Sequence, residues 1–188
     1  MGQKKYNTYR QLLSKLRSRG MVINKGSQGS RTMRILEHVL TFGKITNFYL
    51  HMKPSDKTRV ARFFSVNMKE LHKYMTMLGL ARNKCAHDER FCDIKFKQHL
   101  HTKGIKNFSI LGIKTQPDGL YTSGTNDAYA IAIIFAVLLS TNDLREFVSA
   151  MKNSFTKLEK QLHTISVDDM MKTMGYHKDW QNLILLKK

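Results

Sequence analysis

Met68-Lys-Glu-Leu-His-Lys-Tyr-Met-Thr-Met-Leu-Gly-Leu-Ala-Arg-Asn-Lys-Cys-Ala-His87 contains no proline, and Leu71, Met75 and Leu78 recur along it, with Ala81 or Arg82 next on the same side. That spacing predicts one helix over residues 68–86. Toward the N-terminus, Pro54 and Ser55 separate two further helical patterns. Ser55 suits an N-cap for a short helix to residue 64. Residues 31–52 form the other pattern through Met33, Leu36, Val39, Leu40, Ile45, Phe48 and Tyr49, with Gly43 a site for close packing. Earlier still, residues 6–18 place Tyr9, Leu12, Leu13 and Leu16 on one narrow face of a basic helix, which Gly20 ends.

Toward the C-terminus the periodicity fails over residues 93–125, where Gly104, Gly112, Pro117, Gly119 and Gly124 punctuate short apolar pieces. An irregular or hairpin insertion is expected there. Helices resume at 126–140 and 142–163, each with an Asn as candidate N-cap. A last one at 166–174 has Asp168 and Asp169 in its first turn and Gly175 at its close. Two prolines in 188 residues, with abundant Leu, Met, Ile, Lys and Arg, agree with a mainly α fold. The expected organisation is a basic helix and Gly/Ser loop over 1–30, followed by a helical domain over 31–188 that carries the 93–125 insertion.

Charge narrows the partner. Lys and Arg number 32 against 14 Asp and Glu, a formal +18. Such a field calls for a polyanion, and nucleic acid answers it through counterion release. The first 36 residues hold no carboxylate, while Lys4, Lys5, Arg10, Lys15, Arg17, Arg19, Lys25, Arg31 and Arg34 all fall there. The N-terminal end therefore reads as an electrostatic arm for RNA. Gly26 and Gly29 lie in a Ser/Gln loop that lacks the Lys and Ser/Thr of a phosphate-binding P-loop. Residues 128–139 form the longest apolar run, too short for the roughly 20 residues of a bilayer span, and are expected to be a buried core helix rather than a membrane anchor. The N-terminus shows no secretory pattern, and Cys85 and Cys92 suit two buried thiols in a reducing cytoplasm.

Chemistry concentrates at the end of the 68–86 helix. RNA can be cut without metal when one group takes the 2′-hydroxyl proton, another protonates the leaving 5′-oxygen, and a cation steadies the phosphorane. Histidine suits the proton transfers and arginine the phosphate. Arg82 and His87 have that pairing, four residues between them. The spacing alone is weak, since roughly one such match arises by chance in a chain of this composition. Arg31 and His38 supply another, with nothing beside it that supports catalysis. Cys85, His87, Cys92, His99 and His101 match no compact zinc spacing, so no metal or cofactor is expected. Asp88 and Glu89 read as a solvated turn. Tyr6, Tyr9, Phe63, Phe64 and Phe91 interleave with basic residues, as stacking positions do, although helical spacing also suits a core. Met170, Met171, Met174 and Trp180 form an apolar cluster fit to close the core or extend an interface.

The context of Arg82 and His87 carries a family resemblance. Leu80-Ala-Arg-Asn-Lys-Cys-Ala-His-Asp-Glu-Arg-Phe91 resembles the motif of the Abi family of abortive-infection proteins, the AbiD and AbiF group within the HEPN superfamily. Ile35-Leu-Glu-His-Val-Leu-Thr-Phe-Gly-Lys-Ile-Thr-Asn-Phe-Tyr49 is similar to the family's Phe-Gly helix, and Met174-Gly-Tyr-His-Lys-Asp-Trp180 to its C-terminal ending. Lys15-Leu-Arg-Ser-Arg-Gly-Met-Val-Ile23 resembles its opening. The family's Tyr-Tyr-Arg-x-Ser-Gly-Tyr type of segment is missing between Ile23 and Arg31, which makes this a short member. The resemblance implies a HEPN-like helical bundle, a homodimer that brings two Arg-x4-6-His motifs together, and metal-independent RNA cleavage in antiphage defence or as a toxin. His87 would transfer protons, Arg82 would contact the phosphate, and Asn83 would help position them. Lys84 would join the arm in holding RNA. A structured or regulatory noncoding RNA is an implied second partner. The alternative is a nonenzymatic HEPN scaffold that binds RNA without cutting it.

Overall fold

The computed structural model describes residues 41–87 and 89–187. The expected helix over 6–18 and the whole basic arm over 1–30 lie outside the described residues. The chain divides into two compact units, Met1–Lys44 and Ile45–Lys188. Of the first, only residues 41–44 are described, and helix α1, Phe42–His51, begins within them. Thr41 stands outside that helix, and its carbonyl accepts the Lys44 N–H at 2.9 Å. Of the expected helix over 31–52, residues 42–51 are helical with Thr41 outside the helix, and residues 31–40 lie outside the described residues. No described atom would touch a side chain at Gly43, so the close packing expected there is absent among the described residues.

Two more helices form a hairpin in the second unit. Helix α2, Pro54–Phe63, opens with proline at its first position, where a missing N–H costs nothing. Its N-cap is Lys53, without a side-chain hydrogen bond, rather than the expected Ser55. Helix α3, Met68–Ala86, has the expected bounds. Asn67 caps it by accepting the Lys69 and Glu70 N–H groups at 3.0 and 2.9 Å. Tyr49 of α1, Ala61 of α2 and Leu71 of α3 make a small buried cluster, and the Tyr49 hydroxyl ties it together by donating to the Lys57 and Met68 carbonyls.

The main core surrounds helix α4, Ala128–Leu138, whose alanines and isoleucines are buried on every side. Complete burial of Ile131, Ile133 and Ile134 contributes about 1.5–3 kcal/mol each. The next helices are α5, Thr141–Gln161, and α6, Val167–Thr173, and a 3-10 segment, Trp180–Lys187, packs on α4, α5 and the short turn Phe108–Leu111. The caps differ from those expected. Asp127 rather than Asn126 caps α4, where the chain is still extended one residue past the predicted position, and Ser140 rather than Asn142 caps α5, where the chain is already helical at Asn142. Ser166 caps α6. Trp180 is buried among Tyr176 and Phe155, and Met170, Met171 and Met174 pack against the same core, so this C-terminal cluster closes the core.

Residues 93–125 follow the expected irregular path. The Phe96 and Leu100 N–H groups donate to the Asn126 and Thr125 carbonyls, both at 2.7 Å, which fastens the insertion to the start of α4. A tight reversal follows, with a single antiparallel bridge between Thr115 and Tyr121 and Gly119 at positive φ. Among the described residues there is no other β pairing. Asp127 joins these pieces. Its buried carboxylate accepts the Gly124 and Ala130 N–H groups and lies 3.8 Å from the Lys95 ammonium. Gly175, at positive φ, passes so close that any side chain there would overlap both carboxylate oxygens.

Candidate functional site

Helix α3 presents the candidate residues by burying one side and exposing the other. Leu71, Tyr74, Met77 and Ala81 face the cores, whereas Leu80, Arg82, Asn83, Cys85 and His87 are exposed. A residue that follows a buried one turns by about 100° around the axis, which carries Arg82 out into solvent beside Ala81. The helix stops at His87. Its N–H donates to the Asn83 and Lys84 carbonyls at 3.1 and 3.3 Å, while its own backbone has left helical geometry. His87 is thus held by its main chain, with its imidazole in solvent.

Asn83 meets its neighbour directly, since the Arg82 guanidinium donates to its side-chain oxygen at 3.4 Å. No hydrogen bond joins Arg82 to His87. Five residues apart on a helix, two side chains point about 140° from one another. Lys84 is engaged elsewhere, donating to Glu89 at 2.8 Å across the helix end. That hydrogen bond raises the Lys84 pKa above its ordinary value and lowers that of Glu89, each charged form being favoured by the other. The remaining residues expected to bind RNA, Lys4, Lys5, Arg10, Lys15, Arg17, Arg19, Arg31 and Arg34, lie outside the described residues, as does Asp88.

The thiols and imidazoles nearby serve separate contacts. Cys85 is exposed and Cys92 half-buried, both free, so the expectation of two buried thiols fails at Cys85, where the last turn of α3 has run past the core. His99 meets the Thr125 hydroxyl at 3.2 Å. His101 meets Glu70, a carboxylate buried on α3, at 2.9 Å. Among the described residues no three His, Cys, Asp or Glu side chains gather as a metal ion requires. Asn67 and Glu70 three residues on are a capping-box pattern, which would have revealed this helix start in the sequence.

Residues 6–93 match the family described as Abi-like protein. The chain carries an Abi-like domain. Arg82, Asn83 and His87 fall inside it, as do α1, α2 and α3, while α4 and everything after it lie beyond the matched residues. The match relates this segment of the chain to Abi-like proteins. No curated protein and no solved structure matches it. Among the described residues, no helix of the chain is long and apolar enough to cross a membrane.

Proposed function

We propose that this Abi-like protein is a metal-independent endoribonuclease of an abortive-infection or toxin-type system, acting in the cytoplasm at a site shared by two copies of the chain. The observation that supports this reading most is the display of Arg82, Asn83 and His87 in solvent at the end of α3, inside the matched family segment. All three are open to RNA without any rearrangement of the core.

The chemistry follows from the groups. The 2′-hydroxyl attacks the adjacent phosphorus and the bond to the 5′-oxygen breaks, leaving a 2′,3′-cyclic phosphate and a 5′-hydroxyl. One histidine takes the 2′-proton and another delivers a proton to the leaving oxygen. Each chain supplies one His87, so a pair of HEPN-like domains completes the acid–base set. Arg82 binds the non-bridging oxygens in bidentate fashion as their charge grows, and Asn83 holds the guanidinium through the contact described above. The basic arm over residues 1–30 holds target RNA or a regulatory noncoding RNA, with the domain over 31–188 providing the cut.

The test is incubation of wild type and the Arg82→Ala/His87→Ala variant with mixed end-labelled RNAs in excess chelator, after any copurifying RNA has been stripped away. Cyclic phosphate ends from wild type alone are expected. His87→Ala by itself should lower the rate by about 10²–10⁴-fold, the usual worth of general acid–base catalysis. Equal product from wild type and the double variant would end the nuclease reading and leave an RNA-binding scaffold.

A further inference from the structure

Phe63 is 83% exposed, far more than any other large apolar side chain among the described residues. It ends helix α2 on a basic surface, with Arg59 one turn before it on the same face and Arg62 next to it, both exposed. Neither arginine has an ion-pair partner among the described residues. The ring is firmly mounted. Its neighbour Phe64 packs against the small core cluster and meets Phe63 edge-on, ring centres 5.1 Å apart. Behind them the Ser65 and Val66 N–H groups close on the Arg62 and Ala61 carbonyls at 2.9 and 3.1 Å, with Ser65 at positive φ. This double closure fixes the backbone that carries Phe63.

We infer that Phe63, with Arg59 and Arg62, is a stacking platform that grips single-stranded RNA away from the candidate site. An exposed aromatic face beside guanidinium groups that have no ion-pair partner among the described residues matches a polyanion whose bases have flat faces, and the chain's +18 charge favours that partner. Insertion into a lipid surface calls for a broader apolar patch than one ring bordered by arginines. Along α3, Asn67 and Arg82 are fifteen residues apart, a rise of about 22 Å, so the platform holds a different part of the strand from the one at Arg82 and His87. The inference rests on RNA being the partner in the proposed function.

The experiment uses full-length protein carrying Arg82→Ala and His87→Ala, so that bound RNA survives. A labelled short oligouridine and a duplex RNA of equal length are titrated by fluorescence anisotropy, alongside anionic phosphatidylserine vesicles. Adding Phe63→Ala or Phe63→Leu should weaken oligouridine binding by about 5- to 100-fold, while Phe63→Trp retains it and duplex binding changes little. Phe63 is exposed, and circular dichroism checks directly that each variant folds. Unchanged oligouridine affinity in Phe63→Ala overturns the platform while the RNA reading stands. Loss of vesicle binding without loss of RNA binding also overturns it. If the protein with Phe63 intact binds no RNA, the platform falls together with the reading beneath it. Retained stacking with no cleavage by wild type supports the platform and ends only the nuclease assignment.

Discussion

Replacing Gly175 with alanine should be among the most damaging single changes in this chain. Gly175 follows α6 at φ +85°, and the turn is closed by its own N–H donating to the Lys172 carbonyl at 2.9 Å and by the Tyr176 N–H donating to the Met171 carbonyl at 2.8 Å. A left-handed residue with a side chain costs about 1–2 kcal/mol. The new methyl would also overlap the Asp127 carboxylate, which cannot retreat without releasing the Gly124 or Ala130 N–H. Loss of one hydrogen bond to a charged group costs about 1.5–3 kcal/mol. Together these give about 3–5 kcal/mol, a large share of the roughly 5–15 kcal/mol that holds a domain folded. In a chain of this size the melting temperature should fall by about 6–20 °C. The single tryptophan, Trp180, is buried in the same core, so its fluorescence reports this unit alone. Gly104→Ala, where nothing lies within contact and φ is not positive, is the control and should leave the melt unchanged or raise it slightly. Gly175→Asn separates the two causes, because Asn tolerates the left-handed conformation but still crowds Asp127. A Gly175→Ala protein melting within about 2 °C of wild type would refute the reasoning.

Two further predictions concern the helix that carries the candidate site and the packing near Trp180. Asn67→Ala removes both cap hydrogen bonds of α3 and should cost about 1 kcal/mol in urea unfolding, with faster amide exchange at Lys69 and Glu70; unchanged exchange would show that the cap contributes little. Burial lowers the His177 pKa below 6.5, an effect that Asp179 opposes, and the Asp179 N–H donates to Nδ1, leaving the proton on the buried Nε2. Below 6.5 the unfolded chain takes up a proton before the folded one does, so stability is lost as pH falls from 6.5 through the folded-state value. An NMR titration placing His177 at or above 6.5, or a His177→Gln protein with the same acid sensitivity, would count against this.

Both ends of α3 were legible because Ser65 and Asn67 precede it and the apolar spacing stops after Ala86. Its buried face was only half legible. Leu71, Met75 and Leu78 make one apolar stripe, while Tyr74, Met77 and Ala81 make another at equally helical spacing, and periodicity alone does not choose between them. The structure buries the second stripe fully and the first in part, since α3 sits between two clusters. The burial of Glu70 was not legible for a related reason: its partner, His101, comes from the irregular insertion, and no local pattern encodes that meeting. Asp127 escaped notice beside Asn126, an equally good cap by residue type. At the candidate site, the helix-end position of Arg82, Asn83 and His87 was readable, whereas the Lys84–Glu89 pair depends on how the chain turns after the helix ends.

The two clusters that hold α3 also set an order of events during synthesis. Leu71 finds Tyr49 and Ala61 among residues already made, but Tyr74, Met77 and Ala81 belong to a core completed by Leu183 and Leu186. At about 5–20 residues per second, the ribosome needs roughly 5–20 s to travel from the end of α3 to the 3-10 segment over Trp180–Lys187. Throughout that interval the helix bearing Arg82 and His87 is anchored at its first turns and lacks its partners farther along. A nascent chain therefore reaches the final pose of these residues only after residue 187 has been added, and translation halted earlier yields a fragment without it.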